Sequence, residues 1–129
     1  MRVRWGRLLL GTAIAELVPV ATLILMVAAM GPRDPEEAEF FTTALGRWIG
    51  PLVGAAMAFV MARWVTRPLE RGHALHGFLL GFLLAMLDVV ILVATGAAFV
   101  WIFVASNLGK IVAGTIGGLV TAPRPAAAS

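Results

Sequence analysis

Apolar residues in this chain run in long unbroken blocks, without the alternation of a strand or the half-polar stripe of a soluble helix. Blocks at about residues 8–30, 41–65, 74–95 and 99–122, separated by charge, each supply the roughly 20 residues that cross about 30 Å of hydrocarbon. The third and fourth join in one apolar stretch from Ala74 to Ala122. As a single helix that stretch would be about 70 Å long, so it must turn back once. Gly96 puts the turn near residues 95–98, and Ser106-Asn107-Leu108-Gly109 is the second choice, since both carry turn chemistry. The pattern predicts an all-α integral membrane protein. One membrane domain covers residues 1–129, with four transmembrane helices in an up-down bundle and a short disordered tail at 123–129.

Composition agrees with that solvent. Hydrophobic residues make up 60% of the chain and charged residues 13%, against about 25% charged in a soluble domain. A core this small could not bury so much apolar surface in water. The N-terminus imitates a secretory signal, with Arg2, Arg4 and Arg7 before an apolar run that ends in Val27-Ala28-Ala29. That run is too long for a signal core and contains Glu16 and Pro19, so it is read as a membrane span. The basic residues are scattered and not interleaved with aromatics, which argues against a nucleic-acid partner. With no cysteine and two histidines, neither a disulfide, a thiolate nor a metal or haem cofactor is expected.

Flanking charge orients the spans. Arg2, Arg4 and Arg7 precede the first, Arg63, Arg67 and Arg71 surround the connection between the second and third, and Arg124 follows the fourth. The opposite side carries Asp34, Glu36, Glu37 and Glu39 against Arg33 in a loop at 31–39. The positive-inside rule places both termini in the cytoplasm of a cell membrane. Trp5 and Trp64 then fall at the inner interface and Trp48 and Trp101 at the outer one, where indole rings concentrate.

The spans echo one another. Leu9-Leu10-Gly11 with Ala15 and Leu17 matches Leu79-Leu80-Gly81 with Ala85 and Leu87. Gly46-Arg47 with Gly50 and Gly54 aligns with Gly109-Lys110 with Ala113 and Gly117. This reads as a duplicated helical hairpin, a parallel repeat about the membrane normal, or as compositional coincidence. Small-residue stripes recur at Gly46, Gly50 and Gly54, at Gly77 and Gly81, and at Gly114, Gly117 and Gly118. Lipid supplies no hydrophobic drive between helices, so such stripes are read as packing faces where backbones approach closely. The other reading is a glycine-lined path for a solute.

Four ionisable residues fall inside the spans: Glu16, Arg47, Asp88 and Lys110. A charge at mid-membrane costs roughly 2.5–3.5 kcal/mol, so these side chains seek partners and face the interior. Asp88 and Lys110 lie on small-residue stripes, and helix rise puts both about 20 Å above the inner boundary, where they can pair. Arg47 sits a turn higher, free to join Asp88 or to snorkel outward. Glu16 is lower with no obvious basic partner, sharing a face with Thr12, and is read as a protonated hydrogen-bonding carboxyl. Pro19, three residues later, kinks the helix or frees backbone carbonyl. Two roles follow for this candidate polar site: a buried pair fixing helix register, or the lining of a cavity that binds and releases a proton or cation.

His73 and His76, with Glu70 one turn earlier, start the third span and are expected to face water at the interface. No serine–histidine–acid set, phosphate loop or HExxH is present, and Ser106 and Ser129 are the only serines, so no enzyme activity is expected.

The stretch Ala13-Ile14-Ala15-Glu16 resembles the start of the small multidrug resistance transporters, four-span proteins with a membrane glutamate in that helix. This chain departs from their pattern in having no tyrosine, no tryptophan inside the third span, and a marked charge bias. The stretch from Leu75 to Gly81 and the glycine-rich last helix also resemble four-span bacterial proteins. The leading expectation is a non-enzymatic four-span protein, a homo-oligomer or an accessory subunit of a larger membrane complex, with the lipid bilayer as its other partner. The alternative is a small proton- or cation-coupled transporter or permeation unit built on Glu16, Asp88 and Lys110.

Overall fold

A computed structural model describes residues 2–123. The positions expected for Arg124 and for all but the first residue of the tail lie outside the described residues. Every regular element described is a helix: α1 Trp5–Met30, α2 Pro35–Thr66, α3 His73–Thr95 and α4 Trp101–Thr121. All four are long and apolar enough to span a membrane.

The helix ends follow local chemistry. The acidic segment expected as a loop at 31–39 is mostly helix, because Asp34 caps α2 and accepts from the amides of Glu36 and Glu37, each at 3.1 Å. Pro35 sits where its missing amide costs nothing, and Glu36 and Glu37 complement the helix dipole. That end signal extends α2 beyond the apolar block. Gly96 closes α3 in the left-handed conformation, φ 64°, which a side chain would resist. Residues 97–100 then lead to α4 without helix, while the second-choice turn at Ser106-Asn107 lies inside α4. Pro19 stays within α1, which remains helical through it although the ring has no amide to return to the Ala15 carbonyl.

Packing is uneven between the two ends. At the end holding Arg7 and Trp64, a core of Leu8, Ala15, Ala58, Ala62, Val65, Leu80 and Leu84 is sealed. Arg7 Nη2 donates to the Trp64 carbonyl at 2.7 Å and its guanidinium stacks over the Trp64 ring at 4.0 Å. α2 and α3 touch each other, and both α1 and α4 lean on that pair, but α1 and α4 do not pack together. Toward the Gly96 end this leaves a gap. Leu17, Leu25, Phe40, Trp48, Val93 and Trp101 are more than half exposed, a surface suited to lipid.

Glycine sets the close approaches. A Cβ on Gly77 would strike the Gly114 carbonyl, one on Gly118 the His73 carbonyl, and one on Gly117 the Phe59 carbonyl. α4 therefore lies backbone to backbone on α3 and α2. Gly50 departs from the expectation that its whole stripe is buried. A Cβ there would meet nothing within 4 Å, and at Gly46 only Leu23, at 3.4 Å. Both line the gap, and at Gly50 no helix fills the space a side chain would take.

Gly77→Ala should therefore cost about 1–3 kcal/mol through overpacking and lower the thermal midpoint in detergent. Gly50→Ala should change stability by no more than about 0.5 kcal/mol. Equal midpoints for the two variants would contradict the close α3–α4 contact.

Candidate functional site

α4 brings a lysine into the middle of the bundle. Lys110 is 5% exposed, and its ammonium lies 2.6 Å from Asp88 Oδ2 on α3 and 3.4 Å from Glu16 Oε2 on α1. Two glycines make room for it. A Cβ on Gly54 would stand 2.7 Å from Lys110 Cε, and one on Gly81 would stand 2.6 Å from the Lys110 carbonyl.

That contact with Gly81 also corrects the expected depth. The Lys110 backbone lies level with Gly81, seven residues before Asp88 and so about 10 Å below it along α3. Helical side chains lean toward their own N-terminus, so the lysine stem climbs while Asp88 reaches down. The ammonium ends between the two levels, where Glu16 also reaches it. Glu16 thus has a basic partner, contrary to expectation, and its contact with Lys110 bridges two helices that do not otherwise pack together. Thr12 lies one turn earlier on α1, and its hydroxyl donates to the Leu8 carbonyl at 2.8 Å.

Glu16, Asp88 and Lys110 lie on the wall of an open cavity of about 430 Å³ that fills the gap between α1 and α4. Pro19 and Gly50 line it from α1 and α2, and Phe103 and Ser106 from α4. Arg47 also lines the cavity, but no carboxylate among the described residues lies within ion-pair distance of its guanidinium. It does not join Asp88, which Lys110 already holds. The lining carries two acids and two bases, with no histidine.

His73 and His76 are buried, 5% and 0% exposed, and do not face water as expected. Glu70 is exposed and lies before the start of α3. The Gly72 carbonyl can only accept, so His76 Nδ1 donates to it across 2.9 Å, and Nε2 is buried with no partner. Among the described residues no cluster could hold a metal ion. Sequence reasoning also missed Asn107, which is buried one turn before Lys110 and donates to the Phe103 carbonyl at 3.0 Å. Its spacing from Lys110 was the available signal.

Compared with family models, curated proteins and solved structures, the chain matches none.

The shared lysine predicts an unequal mutant cycle. Lys110→Met leaves two carboxylates facing each other and should cost about 3–5 kcal/mol of stability. Asp88→Asn should cost less, because Glu16 remains within reach of the ammonium. Unfolding measured in detergent should show coupling between the two substitutions of at least about 1 kcal/mol, and additive losses would contradict the pairing.

Proposed function

We propose that this protein is a small proton-coupled transport or permeation unit of the cell membrane, and not an enzyme. The observation that carries the reading is the placement of Glu16, Asp88 and Lys110 on one open cavity instead of within sealed packing. A register-fixing pair needs one acid for one base. Here a lysine divides itself between two acids, so a carboxylate is left to gain and lose a proton without abandoning the ammonium.

The membrane arrangement belongs to the same proposal. Four helices run up and down with both termini in the cytoplasm. Contacts of Arg7 with Trp64, and of Gly77 with Gly114, support the alternation of direction. Basic residues at the Arg7 end and acidic ones at the start of α2 support the orientation. The cavity then faces the outer side, and the sealed core of Leu8, Val65 and Leu80 closes the cytoplasmic side. The hairpin echo supports descent from a duplicated unit.

A second reading is an oligomeric or accessory subunit, favoured by Gly109. A Cβ on this residue of α4 would meet nothing within 4 Å, so the position leaves room for a helix of another chain.

Infrared difference spectra of the protein in lipid bilayers separate the two. Lowering the pH from about 8 to about 3, through the range in which carboxyl groups take up protons, should raise a protonated-carboxyl band that exchanges in deuterated water. Glu16→Gln should diminish it. A spectrum without any such intramembrane band would reject proton exchange and leave the accessory-subunit reading standing.

A further inference from the structure

The charges around the cavity restrict what can enter it. The ionisable groups on its wall are Glu16 from α1, Arg47 from α2, Asp88 from α3 and Lys110 from α4. With all four ionised they sum to zero. A solute cation would have to compete with Lys110 for Glu16 or Asp88, and Lys110 is a tethered competitor already 3.4 Å from the one and 2.6 Å from the other. A solute anion meets no such competitor, because Arg47 lines the cavity with no carboxylate in ion-pair reach among the described residues. A guanidinium presents a planar fork suited to carboxylate, sulfonate or phosphate oxygens. Most of the rest of the wall is apolar, including Leu23, Ile91, Leu92, Ile102 and Phe103, with Thr95 and Ser106 as its hydroxyl groups.

Building on the proton-exchange reading, we infer that the cavity takes a singly charged organic anion with an apolar body, and that the anion enters together with one proton. Arg47 holds the anionic group, and the apolar body lies against Leu23, Ile91 and Phe103. The incoming negative charge is offset when Glu16, the acid farther from Lys110, takes up the proton. The cavity returns to zero charge, and the lysine stays with Asp88. The anion reaches the cavity either dissolved in water or as an anionic lipid of the surrounding leaflet.

The test uses the whole protein in phosphatidylcholine nanodiscs with naphthalenesulfonate, an amphiphilic anion that stays charged across the working pH range. Binding should be at least tenfold tighter near pH 5.5 than near pH 8, with about one proton taken up per anion in weakly buffered solution. Arg47→Gln should weaken binding at least tenfold, and Arg47→Lys should restore part of it. Adding phosphatidylglycerol distinguishes the sources: displacement of naphthalenesulfonate assigns the anion to lipid, and undisturbed binding assigns it to a solute. If the carboxyl band titrates in the unmodified protein but naphthylmethylammonium binds and naphthalenesulfonate does not, the anion assignment is overturned while proton exchange survives. Absence of both the band and any binding overturns the two together.

Discussion

One buried ammonium organises the middle of this bundle. Lys110 is 5% exposed and keeps little of its hydration, so its charge calls for carboxylates beside it. Asp88 holds it from α3 at 2.6 Å and Glu16 reaches it from α1 at 3.4 Å. Its seat depends on residues that do no chemistry. Gly54 and Gly81 lack the Cβ atoms that would collide with it, and Gly77, Gly114 and Gly118 let α4 lie close enough to α3 for the stem to climb to Asp88. Because α1 and α4 do not otherwise pack together, the lysine's contact with Glu16 is also the bridge across the gap that forms the cavity.

The fold was legible in the sequence to the extent that lipid dictates it. Four blocks of membrane-crossing length mark the helices, and Gly96 marks the turn between α3 and α4. The start of α2 was not visible to a reading based on lipid, since Asp34 and Pro35 act through capping and dihedral preference and carry the helix through an acidic stretch. The burial of His73 and His76 was hidden for a similar reason. An interfacial position says how deep a residue lies but not whether a neighbouring helix covers it.

The site was legible as a set of residues and not as a geometry. Intramembrane charge singled out Glu16, Asp88, Lys110 and Arg47, because hydrocarbon makes each of them expensive. Which ones meet depends on helix register, and on a lysine stem that reaches beyond its own level to an acid two turns away along α3. Counting rise per residue cannot supply either. Gly50 shows the same limit from the other direction. A glycine stripe looks alike in sequence whether a helix fills it or a cavity does, and here Gly54 seats a side chain while Gly50 faces open space. The two roles share a stripe because α1 stands clear of one part of α2 while Lys110 of α4 fills the other.

The central claim is that the charge cluster meets water through a cavity open at one end of the bundle and sealed at the other. Since the chain has no cysteine, Gly50→Cys, Ser106→Cys and Leu80→Cys each introduce a single thiol into an otherwise unreactive background. In sealed vesicles of known orientation, a charged membrane-impermeant methanethiosulfonate should label the cysteines at positions 50 and 106 from the side bearing the Asp34 connection, and should leave the one at position 80 unlabelled from either side. Protection of all three positions, or labelling of position 80 alongside the others, would contradict the account.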